Sequence, residues 1–188
     1  SPVPKSILYR CNAGPLPRDH WTLDPEVGGG RILGEAVHFF DFVRHVVMPD
    51  AAARTCPEAG KRLVSVSAEC GGGTDELSTI LRFSDGSIAT ILYTVAGSPN
   101  CGKERIEVYS GGGTAVLDDF RTLEIKNAPG AGQWKSSQDK GHAALLENFI
   151  QAVQGKAQLH VTADDGVEAT RIAVSALQAA RNGQAQRF

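Results

Sequence analysis

Glu35, His38 and Asp41 follow one another at i, i+3 spacing, so on a helix their side chains come close enough to meet. A carboxylate beside an imidazole fixes its tautomer and raises its pKa, which suits a general acid or base working near neutral pH. The same spacing also serves a helix-surface ion pair or a hydrogen-bonded histidine. A di-iron reading of Glu35-x-x-His38 needs a second copy and two further glutamates from a helix bundle, which this sequence lacks. His45 would stand about 10 Å from His38 along a helix axis, too far to share a metal. The four cysteines, Cys11, Cys56, Cys70 and Cys101, form no C-x-x-C pair, so inert thiols are expected and no metal site. There is no G-x-S-x-G elbow for a nucleophilic serine. The pair His20-Trp21 and the lone Trp134 offer faces for a sugar ring or a base, or ordinary buried aromatics.

Nucleotide chemistry is the other possibility. Glycine makes up 21 of 188 residues, with triplets at Gly28-Gly30, Gly71-Gly73 and Gly111-Gly113. The fingerprint G-x-G-x-x-G fails at Gly28-Gly29-Gly30-Arg31-Ile32-Leu33, whose last place is leucine. The second and third triplets lead into strand-like sequence, so they offer no helix N-terminus to a phosphate. Both read as hairpin turns, and the first as a close backbone approach ahead of a helix. No dinucleotide site of the usual kind is expected in this chain.

The elements that must position these residues follow from periodicity. Ser6 to Asn12 is extended and β-prone, and the prolines and glycines after it lead irregularly to Gly30. The spacing predicts a helix over Gly34 to Met48, with Ala36, Phe40, Val43 and Val47 on its buried face and Pro49 as its stop. The opposite stripe carries Gly34, His38, Asp41 and His45, with Glu35 at its edge. From Lys61 to Lys126 the period is two, predicting six short strands at hairpin spacing, with Asp85-Gly86 as a tight turn. One face of that sheet is expected to stay open to water, substrate or another subunit. Two helices close the chain. Leu146, Phe149, Ile150 and Val153 stripe the first, which Gly155 terminates; Thr162 caps the second, which runs through Val167, Val174 and Leu177 to about Arg181. Strands followed by helices make an α+β fold, in one domain over residues 1–188.

Composition narrows the class. Hydrophobic residues at 41% and charged residues at 21% are those of a folded chain, and a net charge of -2 without like-charge runs speaks against a nucleic-acid partner. No apolar stretch approaches the roughly 20 residues that span a bilayer, and no charged-then-apolar leader is present. A cytoplasmic location with no membrane partner is the expectation.

The stretch from Trp21 through Gly28-Gly29-Gly30-Arg31-Ile32-Leu33-Gly34-Glu35 to His38 and Asp41 resembles the G-G-G…H-x-x-D segment of the Gfo/Idh/MocA oxidoreductases. The resemblance runs from Ile7 to the last helix. Together with Asn12-Ala13-Gly14 and Asp139-Lys140-Gly141-His142, it is similar to a subset in which this unit is fused behind an alcohol dehydrogenase-like part. The family joins a Rossmann domain to a C-terminal domain whose open, mostly antiparallel sheet carries helices on one face. This sequence resembles only the second, of the glyceraldehyde-3-phosphate dehydrogenase-like type, and both the Rossmann domain and the family's E-K-P lysine are absent from it. The chain therefore reads as a segment of a longer protein or a stand-alone substrate domain.

The resemblance implies an NAD- or NADP-dependent dehydrogenase acting on a sugar, polyol or related alcohol, inactive without its cofactor half. His38 takes the place of the family's acid/base histidine. Many members carry aspartate four residues earlier, where this chain has Gly34; Glu35 stands beside it, and Asp41 matches the H-x-x-D aspartate. Trp21, Arg31, Lys140 and His142 are the implied substrate contacts, with no cofactor-binding or metal residue in this chain. The implied assembly is a homodimer or larger oligomer through the sheet. The alternative is a non-catalytic oligomerisation or protein-interaction module that uses the open sheet face.

Overall fold

Alternating apolar residues pair the strand segments into one nine-stranded sheet, in the order β8-β7-β6-β5-β1-β4-β3-β2-β9. The computed structural model describes residues 3–24, 26–49, 62–71 and 76–188. The strands are β1 (Ser6–Asn12), β2 (Leu63–Cys70), β3 (Leu77–Phe83), β4 (Ile88–Thr94), β5 (Glu104–Ser110), β6 (Gly113–Asp118), β7 (Thr122–Lys126), β8 (Gly132–Lys135) and β9 (Gln186–Arg187). The helices are α1 (Val37–Val47), α2 (His142–Val153) and α3 (Ala163–Asn182). Thus the α+β class and the mostly antiparallel sheet expected from the sequence are present.

Every described pairing is antiparallel except β1 with β4. β1 lies between two meanders, parallel to β4 on one side and antiparallel to β5 on the other. Side-chain alternation defines the faces of a strand and not the direction of its neighbour, so this central pairing is invisible in the sequence. The short β8 and β9, at the two edges, also went unpredicted.

The inner sheet face and two helices share the core. Tyr9, Cys11, Leu81, Ile91 and Tyr93 meet Phe39, Phe40, Val43 and Val47 of α1 and Ile172, Ala173 and Ala176 of α3. The expected α1 stripe of Ala36, Phe40, Val43 and Val47 is fully buried. The α3 helix runs through Val167, Val174 and Leu177 as expected; Val167 and Val174 face out, and its buried apolar positions are Ala169, Ile172, Ala173, Ala176 and Ala179. Alanines let α3 lie close to α1 and β2. Thr162 caps α3 through a reciprocal capping box with Asp165, as its position implied, and Gly183 ends it at φ 64°.

The apolar stripe of α2 is exposed. Leu146, Phe149, Ile150 and Val153 are 54–71% accessible, and the residue α2 buries is Asn148, which holds the Gln158 carbonyl and the His160 N–H at 2.9 Å each. On the outer sheet face Leu8, Ile80, Ile88, Leu92 and Tyr109 are likewise about two-fifths accessible, at 39–44%. The third glycine triplet forms the β5–β6 turn, with Gly111 and Gly112 at φ 58° and 81°. Gly72, Gly73 and Cys56 lie outside the described residues. Among the described residues no helix is long and apolar enough to cross a membrane.

Candidate active site

The first triplet brings a loop against the start of the catalytic-candidate helix. A Cβ on Gly28 would stand 2.6 Å from both the Thr22 Cα and the Trp21 carbonyl oxygen, so only glycine permits the approach. Gly29 and Gly30 follow at φ 69° and 88°. Residues Ile32–Ala36 then form a π turn that runs into α1. Such a turn bonds i to i+5 and changes the angular offset of residues across it. Glu35 turns toward the sheet, whereas His38 stays exposed on the helix.

Glu35 is the hub of the site. One carboxylate oxygen accepts from Tyr93 Oη at 2.5 Å and lies 3.5 Å from Arg31 Nη2; the other accepts from Lys103 Nζ at 2.5 Å. Burial alone would raise the Glu35 carboxyl, but the Lys103 ammonium and the Tyr93 hydroxyl hold it below the usual range. Lys103 shifts the other way: burial disfavours its charge, yet the Glu35 carboxylate beside it raises it above an ordinary lysine. Burial and Glu35 together raise the Tyr93 hydroxyl. Burial also pushes the Cys11 thiol up to about 12, so this cysteine is inert.

A second Tyr–Glu–Lys cluster lies alongside. The buried Glu104 accepts from Tyr9 Oη and from Lys140 Nζ. Lys140 also sits 5.5 Å above the Phe120 ring. The ring of Phe39 on α1 bridges the two clusters, 4.8 Å from that of Tyr9 and 6.0 Å from that of Tyr93.

Each residue singled out in the sequence now has a place. His38 is exposed and has no described hydrogen bond or ion pair. Asp41 lies 3.6 Å from the buried Arg44 guanidinium. Arg31 is buried, donating to the Gly14 carbonyl at 2.8 Å with its guanidinium carbon 5.4 Å from the Tyr93 ring centroid. Trp21 is 62% exposed and stacks on His20 at 5.9 Å. A depression of about 310 Å³ lies there, lined by Arg18, Asp19, His20, Trp21, Asp24 and Val27 among others. Lys140 is engaged with Glu104, and His142 is exposed at the first position of α2. Lys103, Tyr93, Tyr9 and Glu104 carried no signal in the sequence, because residues on separate strands and on the β4–β5 connection share no local spacing. Among the described residues no three His, Cys, Asp or Glu side chains converge as a metal site would require.

An open-faced α+β sheet domain with a polar cluster at one end of its central strands is the class defined by this geometry. Residues 5–187 match the oxidoreductase family, C-terminal alpha/beta domain. The chain belongs to that family, the Gfo/Idh/MocA oxidoreductases. It is similar to 1,5-anhydro-D-fructose reductase of Ensifer adhaerens, 29% identical over 174 residues that cover 88% of this chain and 50% of the relative. It is also similar to inositol 2-dehydrogenase of Rhizobium meliloti (strain 1021), 24% identical over 158 residues, 80% of this chain and 47% of the relative. The chain spans about half the length of these relatives. Its fold matches that of the WlbA dehydrogenase from Bordetella pertussis, solved in complex with NADH and UDP-GlcNAcA, with a TM-score of 0.69 at 16% identity over 100% of this chain and 55% of that one.

Proposed function

We propose that this chain is the substrate half of an NAD(P)-dependent dehydrogenase acting on a sugar, polyol or related alcohol. The observation that carries this reading is the exposed His38 imidazole, three residues from the Glu35–Lys103 pair on the helix that the glycine triplet delivers. The chain spans about half the length of its relatives, and the remainder of the whole protein is where this reading puts the cofactor. NAD or NADP, when bound by the whole protein, would supply the hydride chemistry at the substrate carbon.

His38 takes the hydroxyl proton when an alcohol is oxidised and returns it to the carbonyl oxygen in the reverse direction. Asp41 lies beside Arg44, which ties α1 to Asp165 of α3, and Glu35 holds Lys103 and Arg31 in place. Trp21 offers an aromatic face to the sugar ring and His142 a further polar contact; Arg31 acts through Glu35.

The outer sheet face supports a homodimer or larger assembly: Leu8, Ile80, Ile88 and Leu92 form an apolar surface that a second copy would cover. The test of the catalytic role is His38→Gln in the intact protein, where turnover should fall by about 10²- to 10⁴-fold.

A further inference from the structure

Lys103 occupies an unusual setting for a surface lysine. Its carbonyl accepts from the Asn12 backbone N–H at 2.7 Å. The Asn12 side chain, itself 8% exposed, donates from Nδ2 to the carbonyls of Ser98 and Cys101 at 2.8 and 3.4 Å, clamping the β4–β5 connection that leads to Lys103. Gly97 makes room for that clamp, since a Cβ there would fall 2.2 Å from Asn12 Oδ1. The following residue, Glu104, is pinned in the interior by Tyr9 and Lys140. The backbone is therefore fixed on both sides of a side chain that remains 43% exposed.

Stability does not account for this construction. A half-exposed ion pair contributes about 0–1 kcal/mol, whereas the clamp leaves Asn12 Oδ1 buried without a described partner. Arg31 Nε, behind Glu35, is likewise buried without one. An ammonium has three donors, and among the described residues only Glu35 accepts from Lys103 Nζ. Two of its donors therefore have no protein acceptor among the described residues, on an ammonium whose counter-ion Glu35 stands three residues before His38 in the sequence.

We propose that Lys103 is a further substrate-contacting residue, whose ammonium and Glu35 counter-ion together bind neighbouring hydroxyls of a polyhydroxylated ring. A hydroxyl both donates and accepts, so an ammonium beside a carboxylate matches two adjacent hydroxyls: one oxygen accepts from Nζ, and the other hydroxyl donates to the carboxylate. A simple alcohol offers only one such group. The pair thereby selects polyols, and no bond is made or broken at Lys103. This inference rests on the proposed sugar or polyol chemistry at His38.

The experiment uses the intact protein with myo-inositol and 1,5-anhydro-D-fructose as probes, followed by steady-state kinetics and equilibrium binding. In Lys103→Met the KM and the dissociation constant of the accepted probe should rise about ten- to a hundred-fold with kcat within about three-fold. Lys103→Arg should recover part of the affinity, which a mere packing role would not require. His38→Gln should lose kcat instead. An unchanged KM in a folded Lys103→Met, with His38→Gln inactive, overturns the Lys103 assignment and leaves the His38 reading standing. No effect from either variant overturns both. Failure of the protein to bind either probe overturns the polyol-selecting role, and a stable thermal melt for Lys103→Met separates each result from misfolding.

Discussion

Arg44 Nη1 on α1 lies 3.7 Å from Asp165 Oδ1 in the first turn of α3, and both side chains are 3% exposed. The same nitrogen donates to the Asp165 carbonyl at 3.3 Å and stands 3.6 Å from Asp41. Asp165 in turn closes the capping box with Thr162. One guanidinium therefore joins the helix that carries His38 to the capped end of the helix that packs on β2.

Removing that guanidinium takes a buried positive charge from beside the buried Asp165 carboxylate. Arg44→Ala should cost about 3–5 kcal/mol of unfolding free energy, read from urea denaturation. Arg44→Met combined with Asp165→Asn should cost less than the two single changes added together. A loss below about 1 kcal/mol in Arg44→Ala would show that the pair is solvated.

Gly28→Ala and Gly166→Ala should have opposite signs. At Gly28 the new methyl meets backbone atoms of Trp21 and Thr22 at 2.6 Å, so the loop must move, at about 1–3 kcal/mol. At Gly166, in α3, nothing lies within 4 Å of the added Cβ, and the helix should gain about 0.4–1 kcal/mol. Thermal melts compare the two, and Trp21 fluorescence should shift only in Gly28→Ala.

The Glu35–Lys103 pair predicts a stability plateau with two limbs. The carboxyl of Glu35 is lowered on folding, so its contribution is complete above the unfolded glutamate value and is lost as pH falls through the folded one. The ammonium of Lys103 is raised, so its contribution is complete below the unfolded lysine value of 10.5 and is lost as pH rises through the folded one. Lys103→Met should weaken both limbs, as measured by unfolding free energy across pH. An unchanged acid limb would mean that Lys103 does not hold Glu35.

Covering the sheet's outer face should require its apolar residues. The double variant Leu8→Glu and Leu92→Glu places two charges on parallel neighbours β1 and β4, with Leu8 opposite Thr90 and Leu92 opposite Arg10. Sedimentation velocity should show the parent as a dimer or larger and the double variant as a monomer. A monomeric parent at high concentration contradicts assembly through the sheet.

Local pattern carried much of the fold. The α1 stripe, the first strand over Ser6–Asn12 and the Asp85-Gly86 turn are written in period and turn chemistry, and they stand where expected. Pairing is not local, so the parallel β1–β4 contact and the edge strands were hidden. Helix α3 stands where expected, but its buried face is mostly alanine, which gives little signal in a hydrophobic pattern. In the site, the spacing placed Glu35, His38 and Asp41 on one helix. It could not show that a π turn directs Glu35 toward two donors from elsewhere in the chain, Tyr93 and Lys103.

The pH dependence of kcat/KM in His38→Gln of the intact protein, with NAD(P)(H) and the sugar or polyol it turns over, bears most directly on the catalytic reading. His38→Gln should lower kcat/KM by about 10²- to 10⁴-fold and change the pH profile of the intact protein. A folded His38→Gln with the parent's turnover and an unchanged pH profile would contradict that reading.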